Sequence, residues 1–234
     1  MTAHSLSPIL AGKKACMFDL FHTLTSVEET SPGGPLTYEI LGVPRERWLE
    51  QLMEKSPGRL KGTEKDPVTI ITQMARAIDP GIPDELILQA TEHRKRNFSR
   101  SLMLMPEDSI RTLASLRRSG LKIGLLSNAD FMERAAWEES PAATLFDSTV
   151  FSCDVGLMKP EREIYELSVR RLGEHAESCI FIGDGGSDEL RGAREAGITT
   201  VMVRGLISTL WPEVLAKRIK YADYIIDRVS DLLL

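Results

Sequence analysis

Six short segments that are almost continuously apolar recur along the chain, and they constrain its fold more than any other feature of the sequence. They are KACMFD, KIGLLSN, TVFSC, SCIFIGD, TTVMV and DYIID, at residues 14–19, 122–128, 149–153, 178–184, 199–203 and 223–227. Strands buried on both faces of a parallel sheet contain such unbroken apolar runs, whereas strands with one solvated face alternate apolar and polar residues. The segments therefore predict a parallel sheet that is covered on both faces.

Helical patterns separate most of these predicted strands. They lie at residues 106–120, 131–140, 161–173 and 187–197. Three of the four end at Gly120, Gly173 and Gly197, and glycine is the usual residue just past the end of a helix. Strands that alternate with helices predict an α/β fold, a doubly wound and Rossmann-like parallel sheet.

The stretch between the first and second predicted strands departs from this alternation. No buried strand is predicted from about residue 25 to residue 105, where helical patterns at 45–55, 68–78 and 84–98 are interrupted by KSPGR and DPGIP. We interpret residues 25–105 as a helical cap domain. It is inserted into a core domain formed by residues 1–24 and 106–234.

Composition and charge exclude several classes of protein. The 234 residues are 42% hydrophobic and 27% charged, as in ordinary globular proteins. The net charge of -5 argues against non-specific binding to nucleic acid, which requires a basic face. No stretch of the sequence approaches the ~18 apolar residues that a membrane span requires. We therefore expect no nucleic-acid or membrane partner.

The cysteines and the N-terminus predict the cellular location. Cys16, Cys153 and Cys179 are odd in number and lie in or beside apolar segments, which indicates reduced thiols rather than a disulfide framework. The N-terminal MTAHSLSPILAGKK lacks the basic and apolar regions of a signal peptide. We expect a cytoplasmic protein, either a monomer or a homodimer.

Polar residues close four of the predicted strands. In an open parallel sheet, ligands bind beyond the carboxyl ends of the strands. Each such residue alone is as readily explained by turn or capping chemistry, but together they predict a binding site. They are Asp19, then Ser127 with Asn128, then Asp154 near Lys159, and Asp184.

Four motifs at these strand ends carry a family resemblance. They are FDLFHTL (18–24), LLSNA (125–129), GLMKPEREIY (156–165) and GDGGSD (183–188). The set resembles the motifs of the haloacid dehalogenase superfamily of hydrolases, over nearly the whole chain. The position of the helical insert is similar to that of family members whose cap lies between the first and second motifs.

The resemblance implies a nucleophile and a metal site. Asp19 would attack a phosphoryl group and form an aspartyl-phosphate intermediate, a reaction that carboxylates can perform. Asp19, Asp184 and the backbone carbonyl of Phe21 would bind Mg²⁺, which prefers oxygen ligands. Asp188 would complete the metal site by orienting a water or Lys159, although an acidic residue is equally natural in the first turn of a helix.

The resemblance also implies how a small phosphorylated substrate is bound. Ser127 and Asn128 would hydrogen-bond the phosphoryl oxygens, and Lys159 would neutralise charge on the nucleophile and the phosphate. The same resemblance makes Asp19, Ser127 and Lys159 the catalytic residues. His22 is a further substrate-binding candidate, and its unperturbed pKa near neutrality also makes it a candidate for acid/base catalysis.

Residue 21 departs from the family pattern. Phosphatases of the family usually carry an aspartate there, which protonates the leaving oxygen, and the loss of a general acid typically costs ~10²–10⁴ in rate. Dehalogenases of the superfamily also lack this acid and use no metal, so a 2-haloacid dehalogenase is an alternative; Arg45, Arg47 and Arg59 are available to hold its substrate. A binding or regulatory protein with weak turnover is a third reading. The intact GDGGSD motif favours the Mg²⁺-dependent phosphatase.

Overall fold

The computed structural model describes residues 6–54 and 56–233, and its centre is one parallel sheet. The order of the six strands is β3-β2-β1-β4-β5-β6. Their bounds are Ala15–Phe18 (β1), Lys122–Ser127 (β2), Ser148–Phe151 (β3), Cys179–Gly183 (β4), Thr199–Val203 (β5) and Tyr224–Ile226 (β6). Every neighbouring pair is parallel. The prediction of a doubly wound, Rossmann-like α/β fold is confirmed, and all six predicted strands are present.

The α-helices of the described residues fall into two groups. Between β1 and β2 lie α1 (Val27–Thr30), α2 (Thr37–Leu41), α3 (Arg45–Glu54), α4 (Ser56–Leu60), α5 (Pro67–Ile78), α6 (Asp84–Met103) and α7 (Glu107–Arg118). After β3 come α8 (Ser152–Val155), α9 (Arg162–Leu172), α10 (Glu189–Glu195), α11 (Gly205–Leu210) and α12 (Pro212–Arg218).

The sheet separates two hydrophobic clusters, as its continuously apolar strands require. Cys16 and Phe18 of β1 join the cluster that contains residues of α7, whereas Ala15 and Met17 join the cluster with residues of α9 and α10. All four side chains are fully buried. Successive residues of a strand point to opposite faces, so a strand covered on both sides needs apolar residues at most of its positions.

Residues 27–103 form a separate group of helices with its own hydrophobic cluster. Trp48, Ile71, Met74 and Ile87 are among its buried members. α3, α5 and α6 confirm the predicted helices at 45–55, 68–78 and 84–98, although α6 continues to Met103 and residue 55 lies outside the described residues. The division of the chain at residues 25 and 105, which also includes the undescribed termini, stays a prediction.

Three predicted helices of the core are confirmed and one prediction is wrong. α7, α9 and α10 correspond to the patterns at 106–120, 161–173 and 187–197, and the glycines that follow them have positive φ angles. Residues 131–140 are not an α-helix but turns followed by a short 3₁₀ helix, Trp137–Glu139. Asp130 Oδ1 accepts hydrogen bonds from the backbone N–H groups of Met132 and Glu133, at 3.0 and 2.9 Å, as an N-cap residue does. The chain starts one helical turn, with Arg134 N–H donating to Asp130 O at 3.1 Å, and then tightens to i→i−3 bonds, with Trp137 N–H donating to Arg134 O at 2.9 Å.

α11 and α12 are not predicted from the sequence patterns above, because each is too short to display a helical period. They lie between β5 and β6, and Trp211 and Val214 pack against the cluster that contains α9 and α10. Within residues 6–54 and 56–233, no helix has both the length and the apolar character needed to cross a membrane.

Candidate active site

Asp19 lies at the carboxyl end of β1, a central strand of the sheet. β2 and β3 lie on one side of β1, and β4, β5 and β6 lie on the other. Its backbone N–H donates to Ile182 O of β4 at 2.9 Å, which fixes the residue at the edge of the sheet. The side chain is buried. Its Oδ1 accepts a hydrogen bond from Lys159 Nζ at 2.6 Å, and its Oδ2 accepts one from Thr23 Oγ1 at 3.2 Å. The carboxylate is therefore held in one orientation by partners on both oxygens.

Lys159 is positioned by the end of β2. Asn128 Oδ1 accepts from the Lys159 backbone N–H at 2.8 Å, and Asn128 Nδ2 donates to Lys159 O at 2.9 Å. The ammonium group then reaches two carboxylates, Asp19 at 2.6 Å and Glu189 at 2.5 Å. Asn128 thus fixes the backbone of the lysine whose charge faces the candidate nucleophile.

The charges of this buried group affect one another. Burial alone would lower the pKa of Lys159, but Asp19 and Glu189 outweigh it and the pKa is raised, so the ammonium group stays charged. Burial raises the pKa of Asp19, and Lys159 opposes that shift. Burial also raises the pKa of Glu189 well above its usual range. More negative than positive charge is gathered here, so a cation would favour the ionised carboxylates.

Asp184 follows β4 and is also buried. Its Oδ1 accepts from the Gly186 backbone N–H at 2.8 Å. Its Oδ2 accepts a short hydrogen bond from Nη1 of Arg218, the last residue of α12. The two oxygens of Asp184 are thus held by a backbone amide and by a guanidinium group.

Glu189, the first residue of α10, is a site residue that the sequence reasoning missed. Its Oε1 accepts from the Gly185 backbone N–H at 2.9 Å, and its side chain is buried against Lys159. A Cβ atom on Gly183 would lie 2.2 Å from Glu189 Oε1, so glycine at the end of β4 leaves room for this carboxylate. The sequence signal that could have identified Glu189 is an acidic residue directly after GDGGSD, six residues after Gly183.

Three carboxylates converge at this edge of the sheet. Ligand oxygens of Asp19, Asp184 and Glu189 lie within 4.8 Å of one another. Carboxylate oxygens are hard ligands and suit Mg²⁺, which commonly binds through one or two carboxylates and keeps several waters. The donor set therefore fits Mg²⁺, with Glu189 already engaged by Lys159 and Gly185.

Asp188 lies outside this carboxylate cluster. Its side chain is about half exposed (49%), and Arg191 Nη2 is 3.8 Å from its Oδ2. The residue has a positive φ of 53°, which places it at the turn that leads into α10. It lines the same cavity as Asp184, and its predicted role at the metal site stays a prediction.

Ser127 is the last residue of β2 and is buried. Its Oγ has no hydrogen-bond partner among the described residues. Buried hydroxyl groups are almost always hydrogen-bonded, so an unpaired one at the carboxyl end of a central strand indicates a donor reserved for a ligand. The residue is not among those that line the open cavity, so a ligand would reach it only at the innermost end of the site.

Phe21 and His22 occupy the turn after Asp19. The Phe21 ring meets the ring of Phe98 in α6 edge to face. His22 has a positive φ of 63°; its Nε2 lies 3.1 Å from Glu28 Oε2 and its ring packs edge-on against Trp211. Burial would lower the pKa of His22, but the hydrogen bond and charge of Glu28, together with the charges of Asp184 and Asp19, outweigh it and the pKa is raised.

A cavity of about 670 Å³ lies between the sheet edge and the helices of residues 27–103. Its lining includes Asp19, Lys159 and Asp184 on one side and Arg94 and Phe98 of α6 on the other. The predicted site residues other than Ser127 all contribute to it. The site therefore lies between the sheet edge and the helices of residues 27–103.

An ion-pair network joins the two sides of this cavity. Arg59 Nη1 lies 3.1 Å from Asp130 Oδ2 and 3.1 Å from Glu133 Oε1, and Arg94 Nη2 lies 2.6 Å from Glu133 Oε1. All four side chains are at most 15% exposed. Of the three arginines considered for a haloacid substrate, Arg59 lines the cavity, whereas Arg47 is exposed and pairs with Glu50.

Comparison with known proteins decides the family. The family model of the haloacid dehalogenase-like hydrolases matches residues 13–197. The chain belongs to this family. The resemblance based on four motifs is thereby confirmed, and the chain is a member of a family of hydrolases.

Known relatives of this hydrolase include both phosphatases and dehalogenases. A glyceraldehyde 3-phosphate phosphatase of Methanocaldococcus jannaschii is 28% identical over 128 residues, 53% of either chain. An (S)-2-haloacid dehalogenase 4A of Burkholderia cepacia is 26% identical over 239 residues, 89% of this chain and 97% of that protein. In its matches to the first curated relatives, the chain spans about half of their length or less.

Solved structures agree on the fold. The crystal structure of a dehalogenase superimposes on this hydrolase with a TM-score of 0.65. The superposition covers 94% of this chain and 95% of that chain at 22% identity, a level at which the similarity concerns the fold alone. The choice between the two chemistries must therefore come from the site.

Proposed function

We propose that this hydrolase is a Mg²⁺-dependent phosphatase that acts on a small phosphorylated metabolite through an aspartyl-phosphate intermediate on Asp19. The observation that carries the proposal is the convergence of Asp19, Asp184 and Glu189 within 4.8 Å at the end of the sheet. Three buried carboxylates face two cations, Lys159 and Arg218, so one negative charge of the cluster is left for a further cation. The name of the relative from Methanocaldococcus jannaschii supports a phosphorylated substrate.

Asp19 is the nucleophile of the proposed reaction. One of its carboxylate oxygens bonds to phosphorus, the bond from phosphorus to the ester oxygen breaks, and that oxygen leaves with the electron pair. Water then attacks the phosphorus, phosphate leaves, and the Asp19 carboxylate is restored. Lys159, 2.6 Å from Asp19, stabilises the negative charge on the nucleophile and on the phosphoryl oxygens.

The remaining site residues bind and orient the phosphoryl group. Ser127 donates its unpaired hydroxyl to a phosphoryl oxygen, together with backbone amides at Asn128. Asp19, Asp184 and the carbonyl of Phe21 would hold Mg²⁺, and Asp188 would orient a water or Lys159. When bound, Mg²⁺ neutralises charge on the phosphoryl group and on the carboxylates.

Dehalogenation is the second candidate, and two observations favour it. Phe21 leaves no carboxylic acid beside the nucleophile, and Arg218 already supplies a cation to Asp184. In that reaction Asp19 attacks carbon, the carbon–halogen bond breaks, and halide leaves with the electron pair without needing a proton. Arg59 would have to hold the substrate carboxylate while it is shared by Asp130 and Glu133.

One assay separates these functions. The protein is given a panel of phosphorylated metabolites and 2-haloacids, with Mg²⁺ or with a chelator, and released phosphate and halide are measured. Phosphate release that requires Mg²⁺ supports the proposal, and halide release in the presence of chelator overturns it. Tight binding of a phosphorylated compound without release of either product would instead indicate a binding or regulatory protein.

The variant Asp184→Ala tests whether Asp184 binds Mg²⁺. We expect it to bind Mg²⁺ more weakly by calorimetry and to turn over substrate more slowly. Unchanged Mg²⁺ affinity would remove Asp184 from the metal site. A cytoplasmic location and a monomeric or homodimeric state remain part of the proposal.

A further inference from the structure

We propose that Arg218 is a built-in competitor of Mg²⁺: its guanidinium group occupies the cation position of Asp184 and must withdraw before the metal binds. The inference rests on the Mg²⁺ site of the proposed function and adds a residue to it. Arg218 belongs to α12, a helix that the sequence patterns did not predict.

The hydrogen bonds of Asp184 carry the first step. Oδ1 accepts from the Gly186 backbone N–H at 2.8 Å, so that Oδ2 is the oxygen that no backbone group engages. Arg218 Nη1 donates to that same Oδ2, and it also lies 3.4 Å from the backbone oxygen of Asp184. Although a carboxylate oxygen has two lone pairs, a guanidinium group and Mg²⁺ on the same oxygen would place two cations side by side, so the bound arginine disfavours the metal.

The close approach of Arg218 is built into the packing. A Cβ atom on Gly185 would lie 2.9 Å from Arg218 Cβ and 3.3 Å from Arg218 O, and Gly185 has a positive φ of 76°. Glycine at position 185 therefore lets the end of α12 pack directly against the loop that carries Asp184. Val214 and Ile219 anchor this segment to the hydrophobic cluster beneath it.

The exposed fractions of the Arg218 and Asp184 side chains indicate that the guanidinium group has room to move away from Asp184. Asp184 is 7% exposed, whereas Arg218 is 22% exposed and lines the open cavity. The guanidinium group can therefore turn towards water or towards an anionic substrate in the cavity while Asp184 stays fixed. Such a displaced arginine remains close enough to contribute positive charge to that substrate.

Calorimetry of Mg²⁺ binding tests the competition directly. The probe is MgCl₂ alone, titrated into chelator-treated wild type, Arg218→Met and Lys217→Met. Lys217→Met is the matched control, because it removes one positive charge from the same helix at an exposed position that the structure does not pair with Asp184. Competition predicts that Arg218→Met binds Mg²⁺ about tenfold more tightly or better, whereas Lys217→Met changes the affinity about twofold or less.

The opposite result has a clear meaning. If Arg218 merely holds Asp184 in place for the metal, Arg218→Met binds Mg²⁺ equally or more weakly than wild type, and the proposal is wrong. Circular dichroism checks that the variant is folded. Arg218→Lys keeps the charge on a shorter side chain, and we expect its Mg²⁺ affinity to lie between those of wild type and Arg218→Met.

A measurement on the wild type avoids any dependence on a variant. Phenylglyoxal modifies accessible arginines, and mass spectrometry reports the rate at each site. Release of Arg218 predicts that Mg²⁺ speeds modification of Arg218 while leaving the exposed Arg162 unchanged; an unaltered rate at Arg218 contradicts it. If Mg²⁺ binds through Asp184 but the Mg²⁺ affinity is the same in Arg218→Met and the modification rate of Arg218 does not change, only this inference fails. If Mg²⁺ binds to none of the variants or the wild type, the proposed metal site itself is wrong.

Discussion

The ring of Phe21 meets the ring of Phe98 edge to face, with the centroids 4.9 Å apart and the planes at 82°. Phe21 stands where phosphatases of the family usually carry an acid, and it instead joins the turn after the nucleophile to α6. Arg94 extends the contact, because its guanidinium carbon lies 4.6 Å from the centre of the Phe98 ring. Phe21 thus provides a packing contact with the helices of residues 27–103 and cannot donate a proton.

Phe21→Asp should restore an acid at this position. We expect turnover of alkyl phosphates to rise relative to that of p-nitrophenyl phosphate, by some part of the ~10²–10⁴ of a general acid, because only alkyl leaving groups need a proton. Loss of the aromatic pair should cost about 0.5–1.5 kcal/mol of stability beyond the loss of burial. The measurement is the ratio of the turnover rates of alkyl phosphates and p-nitrophenyl phosphate, compared between folded Phe21→Asp and wild type.

Phe98→Leu is the control for this substitution. It breaks the same ring contact without bringing in a carboxylate, so its leaving-group preference should match that of wild type. A wild-type rate that is independent of the leaving group would contradict the prediction. It would show that another residue already supplies the proton, and His22 would be the first to replace.

Asp19→Asn should remove turnover while the protein stays folded. The amide keeps the shape of the side chain but has neither the charge nor the nucleophilicity of a carboxylate, so we expect a loss of about 10³-fold or more. Steady-state kinetics measure the loss, and circular dichroism tests the fold. Thr23→Val, which removes only the 3.2 Å hydrogen bond to Asp19, should retain far more activity. Near wild-type turnover in Asp19→Asn would exclude covalent catalysis by this residue.

Glu189 should contribute to stability through Lys159. Glu189→Ala leaves Lys159 paired with Asp19 alone and the Gly185 backbone N–H without its acceptor, so it should lower the free energy of unfolding by about 1–3 kcal/mol. Urea unfolding measures the change, and Glu189→Gln should lose less because it can still accept from the Gly185 N–H. Glu195→Ala on the same helix, an exposed partner of Arg191, should cost about 1 kcal/mol or less. Equal effects of Glu189→Ala and Glu195→Ala would count against the buried pair.

Arg59 should hold the helices of residues 27–103 to the sheet domain. Arg59→Met keeps an apolar stem but leaves the buried Asp130 and Glu133 with Arg94 alone, so the free energy of unfolding should fall by about 3–5 kcal/mol. Arg47→Met, which breaks only the exposed pair with Glu50, should change it by about 1 kcal/mol or less. Urea unfolding of the two variants compares them. A loss in Arg59→Met no larger than in Arg47→Met would show that the network contributes little.

The three thiols should be unreactive in the native protein. All three are buried; burial raises the pKa of Cys16 and Cys153 to about 12 and that of Cys179 to about 11, from about 9. Because the pKa is higher in the folded state, their contribution to stability is complete below about pH 9 and is lost as the pH rises towards 12. Ellman's reagent near neutral pH should detect three thiols only after denaturation. Rapid reaction of native protein would contradict the prediction.

The sequence by itself determined the sheet and the first members of the site. Apolar runs and helical periods are local properties, so all six strands could be located, and the carboxyl ends of parallel strands necessarily meet at one edge. Asp19, Lys159 and Asp184 could therefore be assigned to one site without coordinates. The wrong helix at 131–140 shows the limit of such patterns, since the backbone there tightens to i→i−3 bonds, such as Trp137 N–H to Arg134 O, and does not continue as an α-helix.

Only the tertiary structure decided which partners surround these residues. Arg218 reaches Asp184 across 34 positions of the chain, and Phe98 lies against Phe21 across a turn and several helices. Glu189 turns towards Lys159 because the glycine at the end of β4 leaves space for it. Such contacts depend on how elements that are distant in sequence pack together, and the apolar period of a single helix or strand does not contain that information. The contacts determine the charge around Asp19 and which cation Asp184 binds.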